Sequence, residues 1–281
     1  MIKSKFSWAN MYLIFIFVLL YVPILYLIYY SFNQAGTMNE FTGFTTEHYE
    51  ALAGDTRLIR IVLDTFRVAL LSSLLATIIG TLGAIGIFFV RQRRTQSTIL
   101  GLNNVLLVSP DVIIGASFLL LFTMAGFRLG FYSVLFSHIA FSIPIVVLMV
   151  LPKLQEMNTN MITAAKDLGA NNWQVLKSVI IPSIKPGILA GYFMAFTYSI
   201  DDFAVTFFVT GNGFATLSVE IYSRARQGIS LEINALSTIL FIVALGLVSG
   251  YYFVQQQQQQ RNRKRKLTDI DPTNHQKAVT P

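Results

Sequence analysis

The chain has 281 residues, of which 54% are hydrophobic and only 12% are charged, about half the charged fraction that is usual in a soluble domain. It has no cysteine, which excludes disulfides and thiolate metal sites, and its histidines, His48, His138 and His275, show no metal-ligand spacing. The net charge of +7 does not indicate nucleic-acid binding, because the basic residues lie between hydrophobic blocks and in the C-terminal tail. The composition therefore favours a protein whose surface largely faces lipid.

Six apolar blocks are long enough to cross a membrane, since a transmembrane helix needs about 20 mostly apolar residues. Each is predicted to be an α-helix because lipid offers no partner for free backbone amide and carbonyl groups. The first block follows two lysines, as a signal peptide would, but it is too long and lacks a small-x-small cleavage site, so we expect an uncleaved span. The predicted spans cover residues 10–31, 66–90, 104–125, 131–151, 187–209 and 233–254.

The distribution of Lys and Arg indicates how these spans are oriented. Fifteen of the 21 basic residues lie in segments that are cytoplasmic if the N-terminus is inside. Both termini are therefore predicted to be cytoplasmic. The tail, residues 255–281, begins with a run of glutamines followed by a basic stretch, and we expect it to be disordered beside anionic lipid headgroups. The expected fold class is an all-α membrane protein with six transmembrane helices and a transmembrane domain over residues 1–254.

Acidic residues are rare within the predicted spans, where an Asp costs about 2.5–3.5 kcal/mol on insertion scales and is usually functional. Asp111 lies in the third span directly after Ser109-Pro110, and Asp201 and Asp202 lie in the outer half of the fifth. A proline frees a backbone carbonyl, so we expect a disturbed helix beside Asp111, which is tolerated where it lines a water-filled cavity. Adjacent helical residues diverge by about 100°, so Asp201 and Asp202 are expected to face different neighbours.

These acids have two interpretations. In the first, Asp111, Asp201 and Asp202 line a substrate pathway that attracts cations, while Tyr198 and Phe203 cover methylene groups or face ammonium groups. In the second, the acids are structural and form hydrogen bonds with Ser199, Thr206 or a partner helix. Both interpretations stay open at the level of sequence.

Three other polar residues are interpreted as structural. His138 in the fourth span is expected to be a core histidine whose hydrogen bonds are satisfied. Asp64 and Arg67 are three residues apart at the outer end of the second span, so they are expected to pair with each other.

A long cytoplasmic loop, residues 152–186, separates the fourth and fifth spans. Residues 161–168 are rich in helix formers and end at Gly169, a residue suited to the position after a helix C-terminus. Asn171 or Asn172 can cap a second short helix.

That second helix is predicted from Trp173 to Ile181, and Pro182 is expected to stop it. Trp173, Leu176 and Ile180 recur on one of its faces.

This loop resembles the EAA loop of ABC importer permeases, in which a short helix docks in a cleft of a cytoplasmic ATPase and transmits its closure to the spans. The resemblance rests on Ala164-Ala165, Gly169, Ile181-Pro182 and Pro186-Gly187. The family's leading Glu is Thr163 here, which removes one charged contact to the ATPase. The resemblance implies an ATPase-docking role for Thr163, Ala164, Ala165, Lys166, Asp167, Leu168, Gly169 and Pro182.

Further segments are similar to the permeases of spermidine/putrescine importers, namely residues 31–33, 41–44, 199–203, 207–211 and 232–238. The resemblance implies the type I ABC importer permease fold, a multi-pass location in the bacterial plasma membrane and a channel-forming role that couples ATPase closure to alternating access. It implies four partners besides membrane lipids: two copies of a cytoplasmic ABC ATPase, a second homologous permease subunit and an extracytoplasmic polyamine-binding protein. No nucleic acid, metal or cofactor is expected in this chain, and ATP and Mg are expected on the partner ATPase.

Other functions remain as alternatives. One is an ABC permease for another solute, such as an inorganic anion or an amino acid. An anion carrier should show basic residues along the route, and we find none at the depth of the acids. An ion-coupled secondary transporter would use the acids as proton sites, but the sequence shows no evident inverted repeat. An intramembrane enzyme would need a nucleophile or zinc motif that we do not find, and a scaffold would leave the acids unexplained. The chain has no G-x-x-x-x-G-K-[ST] motif, so any ATP hydrolysis is expected on a separate subunit.

Overall fold

The structure, a computed structural model, describes residues 8–227, 231–246 and 249. These residues fall into two compact units, one within 1–54 and 228–281 and the other comprising 55–227. Apart from an isolated bridge between Asn33 and Phe44, the regular elements of the described residues are helices, which agrees with the predicted all-α class. The predicted tail, 255–281, lies outside the described residues.

The helices follow one another along the chain, and most of the connections between them are short. They are α1 (Trp8–Tyr30), α2 (Glu47–Gly54), α3 (Thr56–Phe89), α4 (Arg93–Val108), α5 (Asp111–Met124), α6 (Phe131–Glu156), α7 (Asn160–Asp167), α8 (Asn172–Val175), α9 (Ile181–Asp201), α10 (Ala204–Val209), α11 (Leu217–Gln227) and α12 (Leu231–Gly246), with a π-helical segment (Leu176–Ile180) between α8 and α9.

The first unit contains α1, α2 and α12. Helix α1 is apolar on all sides, and its described side chains are largely exposed within this chain, as expected of a helix that meets lipid or another chain. The loop after it folds around Asn33, whose buried amide group donates to the carbonyls of Thr37 and Glu40 and accepts from the amide of Thr42. A single side chain thereby satisfies three backbone groups that no regular element pairs.

The second unit is built around α3, α6 and α9, which pack against one another. Lipid offers little hydrophobic force to drive helices together, so close packing of small residues becomes important. The buried face of α3 has this character, since it consists mainly of Ala69, Ser72, Ser73, Ala76, Thr77, Gly80, Thr81 and Ala84. A second contact joins α5 to α10, and this contact positions the site described below.

The predicted third span, 104–125, is two helices rather than one. Helix α4 ends at Val108 and α5 begins at Asp111, and their axes differ by 103°. Ser109 is extended (φ −68°, ψ 138°), as is usual before proline, and Pro110 has no N–H to continue the helix. The predicted disturbance before Asp111 is confirmed, but its size makes a single straight span wrong.

The predicted fifth span, 187–209, is also interrupted. Helix α9 ends at Asp201, Asp202 is extended (φ −65°, ψ 122°), and α10 begins at Ala204. No glycine or proline marks this break. It is stabilised instead by the Asp202 side chain, which accepts hydrogen bonds from the first amides of α10.

The prediction that Pro182 stops a helix is wrong. Helix α8, the π-helical segment and α9 form one continuous helix from Asn172 to Asp201. In the π-helical segment the Ile181 N–H donates to the Leu176 carbonyl five residues back, so the hydrogen-bond register changes immediately before the proline. Pro182 then lies in the first turn of α9, where the missing N–H does little harm.

Four described helices are long and apolar enough to cross a membrane, or five if the bent pair α4–α5 counts as one span. They are α1, α3, α6 and the continuous helix from Asn172 to Asp201, and α12 is a shorter apolar helix. Helix α3 begins at Thr56, well before the predicted start at residue 66.

Candidate functional site

The five residues that the sequence suggested for a substrate pathway lie around one cavity. Its volume is about 350 Å³, and its wall is formed by Asp111, Thr197, Tyr198, Asp201, Asp202, Phe203 and Ala204. Asp111 comes from the start of α5 and the others from the junction between α9 and α10, so three separate helix ends converge here. The breaks at Pro110 and Asp202 are therefore what expose these side chains to a common space.

Close packing of α5 against α10 holds the two sides of the cavity together. Gly115 of α5 faces α10 so closely that an added Cβ atom would lie 2.8 Å from Phe208 Cδ2, 3.0 Å from Val205 Cα and 3.1 Å from the Ala204 carbonyl oxygen. Only glycine permits this approach. Asp111 lies one turn before Gly115 and Phe203 immediately precedes α10, so the close contact sets the width of the cavity.

The three acids are in different environments. The Asp202 side chain is only 8% exposed, and its Oδ2 accepts the Thr206 N–H at 2.8 Å and the Thr206 hydroxyl at 2.7 Å. Asp111 and Asp201 are exposed, and within the described residues neither forms a hydrogen bond or ion pair. The structural interpretation is thus right about the Thr206 contact of Asp202, while the other two carboxylates are available to a solute. Asp201 and Asp202 both line the cavity, and Asp202 in addition contacts Thr206. The predicted divergence assumed adjacent residues of one helix, but α9 ends at Asp201 and Asp202 is extended.

His138 is a buried histidine with both ring nitrogens satisfied, as predicted. It is fully buried in α6, with Nδ1 2.7 Å from the Ser199 hydroxyl and Nε2 2.8 Å from the Thr206 hydroxyl. Nε2 also lies 3.4 Å from Asp202 Oδ2. Ser199 in turn lies 2.9 Å from the hydroxyl of Ser72 on α3. Sequence reasoning did not connect His138 to the acids, because the two segments are more than 60 residues apart.

Aromatic rings adjoin the acidic cavity. Phe203, Phe207 and Tyr222 form a cluster with ring centroids 4.4–6.0 Å apart, and the Arg226 guanidinium lies 5.9 Å from the centre of the Tyr222 ring. Ring faces at this spacing attract cations and cover methylene groups. Tyr222 was not predicted, because it reaches the site from α11 across a loop. Within the described residues, no group of three or more His, Cys, Asp or Glu side chains is arranged to hold a metal ion.

The loop with the predicted docking residues forms a helix–turn–helix in which the turn is fixed by hydrogen bonds. Gly169 has φ +84°, its N–H donates to the Lys166 carbonyl, and the Ala170 N–H donates to the Ala165 carbonyl. This pattern is a Schellman motif, which favours glycine because of the positive φ. Asn171 accepts the Gln174 N–H and its own N–H donates to Gln174 Oε1, so Asn171 is the cap.

Most of the predicted docking residues lie on the surface. The exposed ones are Thr163, Ala164, Lys166, Asp167, Leu168, Gly169 and Pro182, whereas Ala165 is half-buried. Leu168 is 89% exposed although it is apolar. Trp173 is 68% exposed, so its predicted place on the face shared by Leu176 and Ile180 is wrong. Val175 is buried there instead, because the π-helical turn changes the angular positions of the residues.

A network of charged side chains joins α3 to α11. Glu220, nearly buried, pairs with Arg57 at 2.9 Å and with Arg224 at 2.8 Å, and Arg224 also pairs with Asp55 at 3.1 Å. Burial alone would lower the pKa of Arg224, but hydrogen bonds to Glu220 and Asp55 outweigh it and raise that pKa. The pKa of Asp55 is held below its usual value mainly by the hydrogen bond that its side chain accepts from the Leu58 N–H. The hydrogen bond and positive charge of Arg224 lower this pKa further. The predicted pair Asp64–Arg67 is also present, at 2.9 Å.

The sequence matches a family of transport proteins. Residues 76–264 match the model of the family described as binding-protein-dependent transport system inner membrane component. The Escherichia coli (strain K12) spermidine/putrescine transport system permease protein PotC is 39% identical over 233 residues, which cover 83% of this chain and 88% of that protein. The Haemophilus influenzae PotC protein is 34% identical, covering 87% and 95%, and the E. coli putrescine permease PotI is 31% identical, covering 94% of each chain.

Solved structures share the fold. A chain of the MetNI methionine ABC transporter in an inward-facing conformation superposes with a TM-score of 0.59 at 19% identity, covering 75% of this chain and 99% of that chain. A chain of a bacterial ABC transporter that imports the acidic polysaccharide alginate superposes with a TM-score of 0.69 at 18% identity, covering 89% and 94%. The type I permease-like fold implied by the EAA-like loop is therefore confirmed.

Proposed function

Because this chain belongs to the family of binding-protein-dependent transport system inner membrane components, we propose that it forms one half of the membrane channel of an ATP-driven polyamine importer. It is a multi-pass inner membrane protein of a bacterial ABC transporter and acts as a transport component. Spermidine and putrescine are the proposed cargo, since the relatives with the identities given above are named as their permeases.

The observation that carries this proposal is the acidic cavity where α5, α9 and α10 meet. A polyamine is a chain of methylene groups with an ammonium group at each end. Asp111 and Asp201 offer carboxylates without protein partners among the described residues, and Phe203, a member of the aromatic cluster, offers an apolar ring surface in the same cavity wall. Such a site attracts organic cations and offers nothing to an anion. The site lies at breaks between helices, and such non-helical backbone is tolerated at membrane depth where it lines a cavity.

The proposed topology has six spans with both termini in the cytoplasm. Helices α1, α3, α6 and the continuous helix from Asn172 to Asp201 supply four of them, α4–α5 supplies a broken one, and the last is predicted at 233–254, which overlaps α12. The concentration of basic residues in the segments on one side of these spans supports the orientation.

The proposed partners follow from the exposed loop around α7. Two copies of a cytoplasmic ABC ATPase bind ATP and Mg, and one of them receives residues 163–169 in a cleft. Pro182 is exposed at the start of α9, and the uncharged Thr163 stands where the family has Glu. A second homologous permease subunit completes the channel, and an extracytoplasmic polyamine-binding protein delivers the cargo. ATPase closure then drives alternating access, which requires two packings of the spans with similar free energy.

The direct test is ATP-dependent uptake of labelled spermidine and putrescine by cells that carry the intact transporter. Asp111→Asn and Asp202→Asn are expected to reach the membrane in normal amounts and to take up less polyamine, because each removes one negative charge from the cavity wall. The matched control is Asp64→Asn, which changes a half-buried acid paired with Arg67 outside the cavity. Normal uptake in both cavity variants would remove the cation pathway. Uptake that follows an ion gradient and survives loss of the ATPase would indicate a secondary transporter instead.

A further inference from the structure

Five polar side chains form an unbroken series of contacts from the core of the second unit to the cavity. They are Ser72 on α3, Ser199 on α9, His138 on α6, Thr206 on α10 and Asp202 at the break between α9 and α10. The first four are buried, and successive polar atoms are 2.7–2.9 Å apart. We refer to these residues as the His138 chain. The proposed importer function involves only the last member of this chain, Asp202.

The number of hydrogens on each group determines the direction of these bonds. Thr206 has one hydroxyl hydrogen and gives it to Asp202, because an ionised carboxylate only accepts. The Thr206 oxygen must then accept from His138, so Nε2 carries a hydrogen. In a neutral imidazole Nδ1 has none, so it accepts the Ser199 hydroxyl, and the Ser199 oxygen accepts from Ser72.

Every member of the chain is satisfied in this arrangement, and every bond points towards Asp202. The four donors come from four different elements, so the break between α9 and α10 is attached to both α3 and α6. Buried polar groups that are fully paired in this way fix a single arrangement of the helices around them.

We propose that His138 is a positioning residue for cation passage: as the neutral Nε2–H tautomer it orients the Thr206 hydroxyl and thereby keeps Asp202 an anion at the cavity wall. This proposal rests on the proposed function for its consequence on uptake, whereas the hydrogen-bond direction follows from the contacts for an ionised Asp202 and a neutral imidazole. His138 itself does not reach the cavity, since its side chain is fully buried and acts through Thr206.

A second proton on His138 would reverse part of the chain. Nδ1 could no longer accept from Ser199, and Ser72 would have to turn its hydrogen to another acceptor, the nearest being the Ala69 carbonyl at 3.4 Å. The imidazolium would lie 3.4 Å from Asp202 and offset its charge. A doubly protonated His138 would therefore lower cation uptake, which can be measured from pH 8 to pH 5.

The groups around the imidazole limit which residue can produce this pH dependence. The ring nitrogens contact the hydroxyls of Ser199 on α9 and Thr206 on α10, which are not ionisable, and Ser72 of α3 contacts Ser199. Helix α5 contributes Asp111 and α9 contributes Tyr198 and Asp201, but these line the cavity rather than contact the ring. Asp202 is the charged group in contact with His138.

The tautomer is tested by long-range ¹H–¹⁵N NMR on the intact transporter with ¹⁵N-labelled histidine. The chain has three histidines, and the difference spectrum between wild type and His138→Gln assigns the buried one. The expected result at pH 7.5 is a neutral ring protonated at Nε2. A ring protonated at Nδ1 alone, or at both nitrogens, would overturn the proposal whether or not the transporter carries polyamines.

The consequence for transport is tested by uptake of labelled spermidine over the same pH range. Thr206→Val removes the hydroxyl at nearly constant volume, and we expect the half-saturating concentration to rise about 10-fold or more, because a hydrogen bond to a charged group is lost. Thr206→Ser restores the hydroxyl and is expected to recover most of the affinity. His138→Gln keeps a donor for Thr206 but cannot titrate, so its uptake should vary less with pH than that of wild type.

His48→Gln is the matched control, since His48 binds the Asn33 carbonyl and is not a member of the His138 chain. This variant should retain the wild-type pH profile. A His138→Gln transporter with the full wild-type pH profile, or a Thr206→Val transporter with unchanged affinity, would contradict the positioning role. If wild type does not transport polyamines at all, the proposed function fails, while the NMR result still decides the direction of the chain.

Discussion

The contact between α5 and α10 gives a sharp prediction for Gly115→Ala. The added methyl group would lie 2.8 Å from Phe208 Cδ2, 3.0 Å from Val205 Cα and 3.1 Å from the Ala204 carbonyl oxygen. Phe208 can turn away, but the other two atoms belong to the backbone of α10. The methyl group can therefore be accommodated only if α10 moves away from α5, and this movement carries Phe203 and the edge of the cavity with it.

The expected cost is that of overpacking, about 1–3 kcal/mol. Replacing a helical glycine by alanine recovers about 0.5–1 kcal/mol through the reduced entropy of the unfolded chain. The net loss is then about 0–2.5 kcal/mol, centred on about 1 kcal/mol, which corresponds to a decrease in Tm of up to about 10 °C for a unit of this size. Polyamine uptake should decrease at temperatures where the variant is still fully folded, because the acids no longer converge as closely.

The assay is a thermal unfolding curve of the purified transporter together with uptake by intact cells. Gly86→Ala is the matched control, because Gly86 is also helical but an added Cβ atom there has no described neighbour within 4 Å. That variant should be as stable as wild type or slightly more stable. The reasoning would be refuted if Gly115→Ala and Gly86→Ala had the same Tm and the same uptake.

Three further predictions follow from other contacts. Gly169→Pro should abolish co-purification with the ATPase, because proline can neither adopt the φ of +84° nor donate the N–H. Gly169→Ala should only weaken co-purification, and normal co-purification of the proline variant would contradict the docking role. Glu220→Gln should lower the free energy of unfolding by about 1–3 kcal/mol, because Arg224 is mostly buried and loses a charged partner. An unchanged Tm would show that the charged network between α3 and α11 adds no stability. Asp55→Asn should be less stable than wild type at neutral pH, because a carboxylate with a lowered pKa stabilises the fold above about pH 4. The difference in Tm between the two should shrink as the pH falls further, and a constant difference would contradict the lowered pKa of Asp55.

Local rules explain most of what the sequence predicted. The cap at Gly169 and Asn171 depends on residues within one turn, as does the pair Asp64–Arg67. The break before Asp111 follows from proline chemistry. The acids within the predicted spans indicated the cavity, because a charged residue in a span is costly to insert and is usually functional.

The remaining features depend on distant partners or on small changes of register. The break at Asp202 has no glycine or proline and requires Thr206 and His138 to stabilise it. The helix continues through Pro182 because of one π-helical turn, which no residue pattern indicated. Glu220 finds Arg57, 163 positions away, only through the packing of α11 on α3.

The continuous helix from Asn172 to Asp201 connects two regions that sequence reasoning treated separately. Its 30 residues correspond to a length of about 45 Å. Its first residues follow the turn after α7, and its last residue contributes a carboxylate to the cavity. Tilting a rod of this length by about 4° displaces its far end by about 3 Å, which is the length of a hydrogen bond. A slight push on the turn after α7 would thus suffice to make or break contacts between Asp201 and an ammonium group in the proposed pathway.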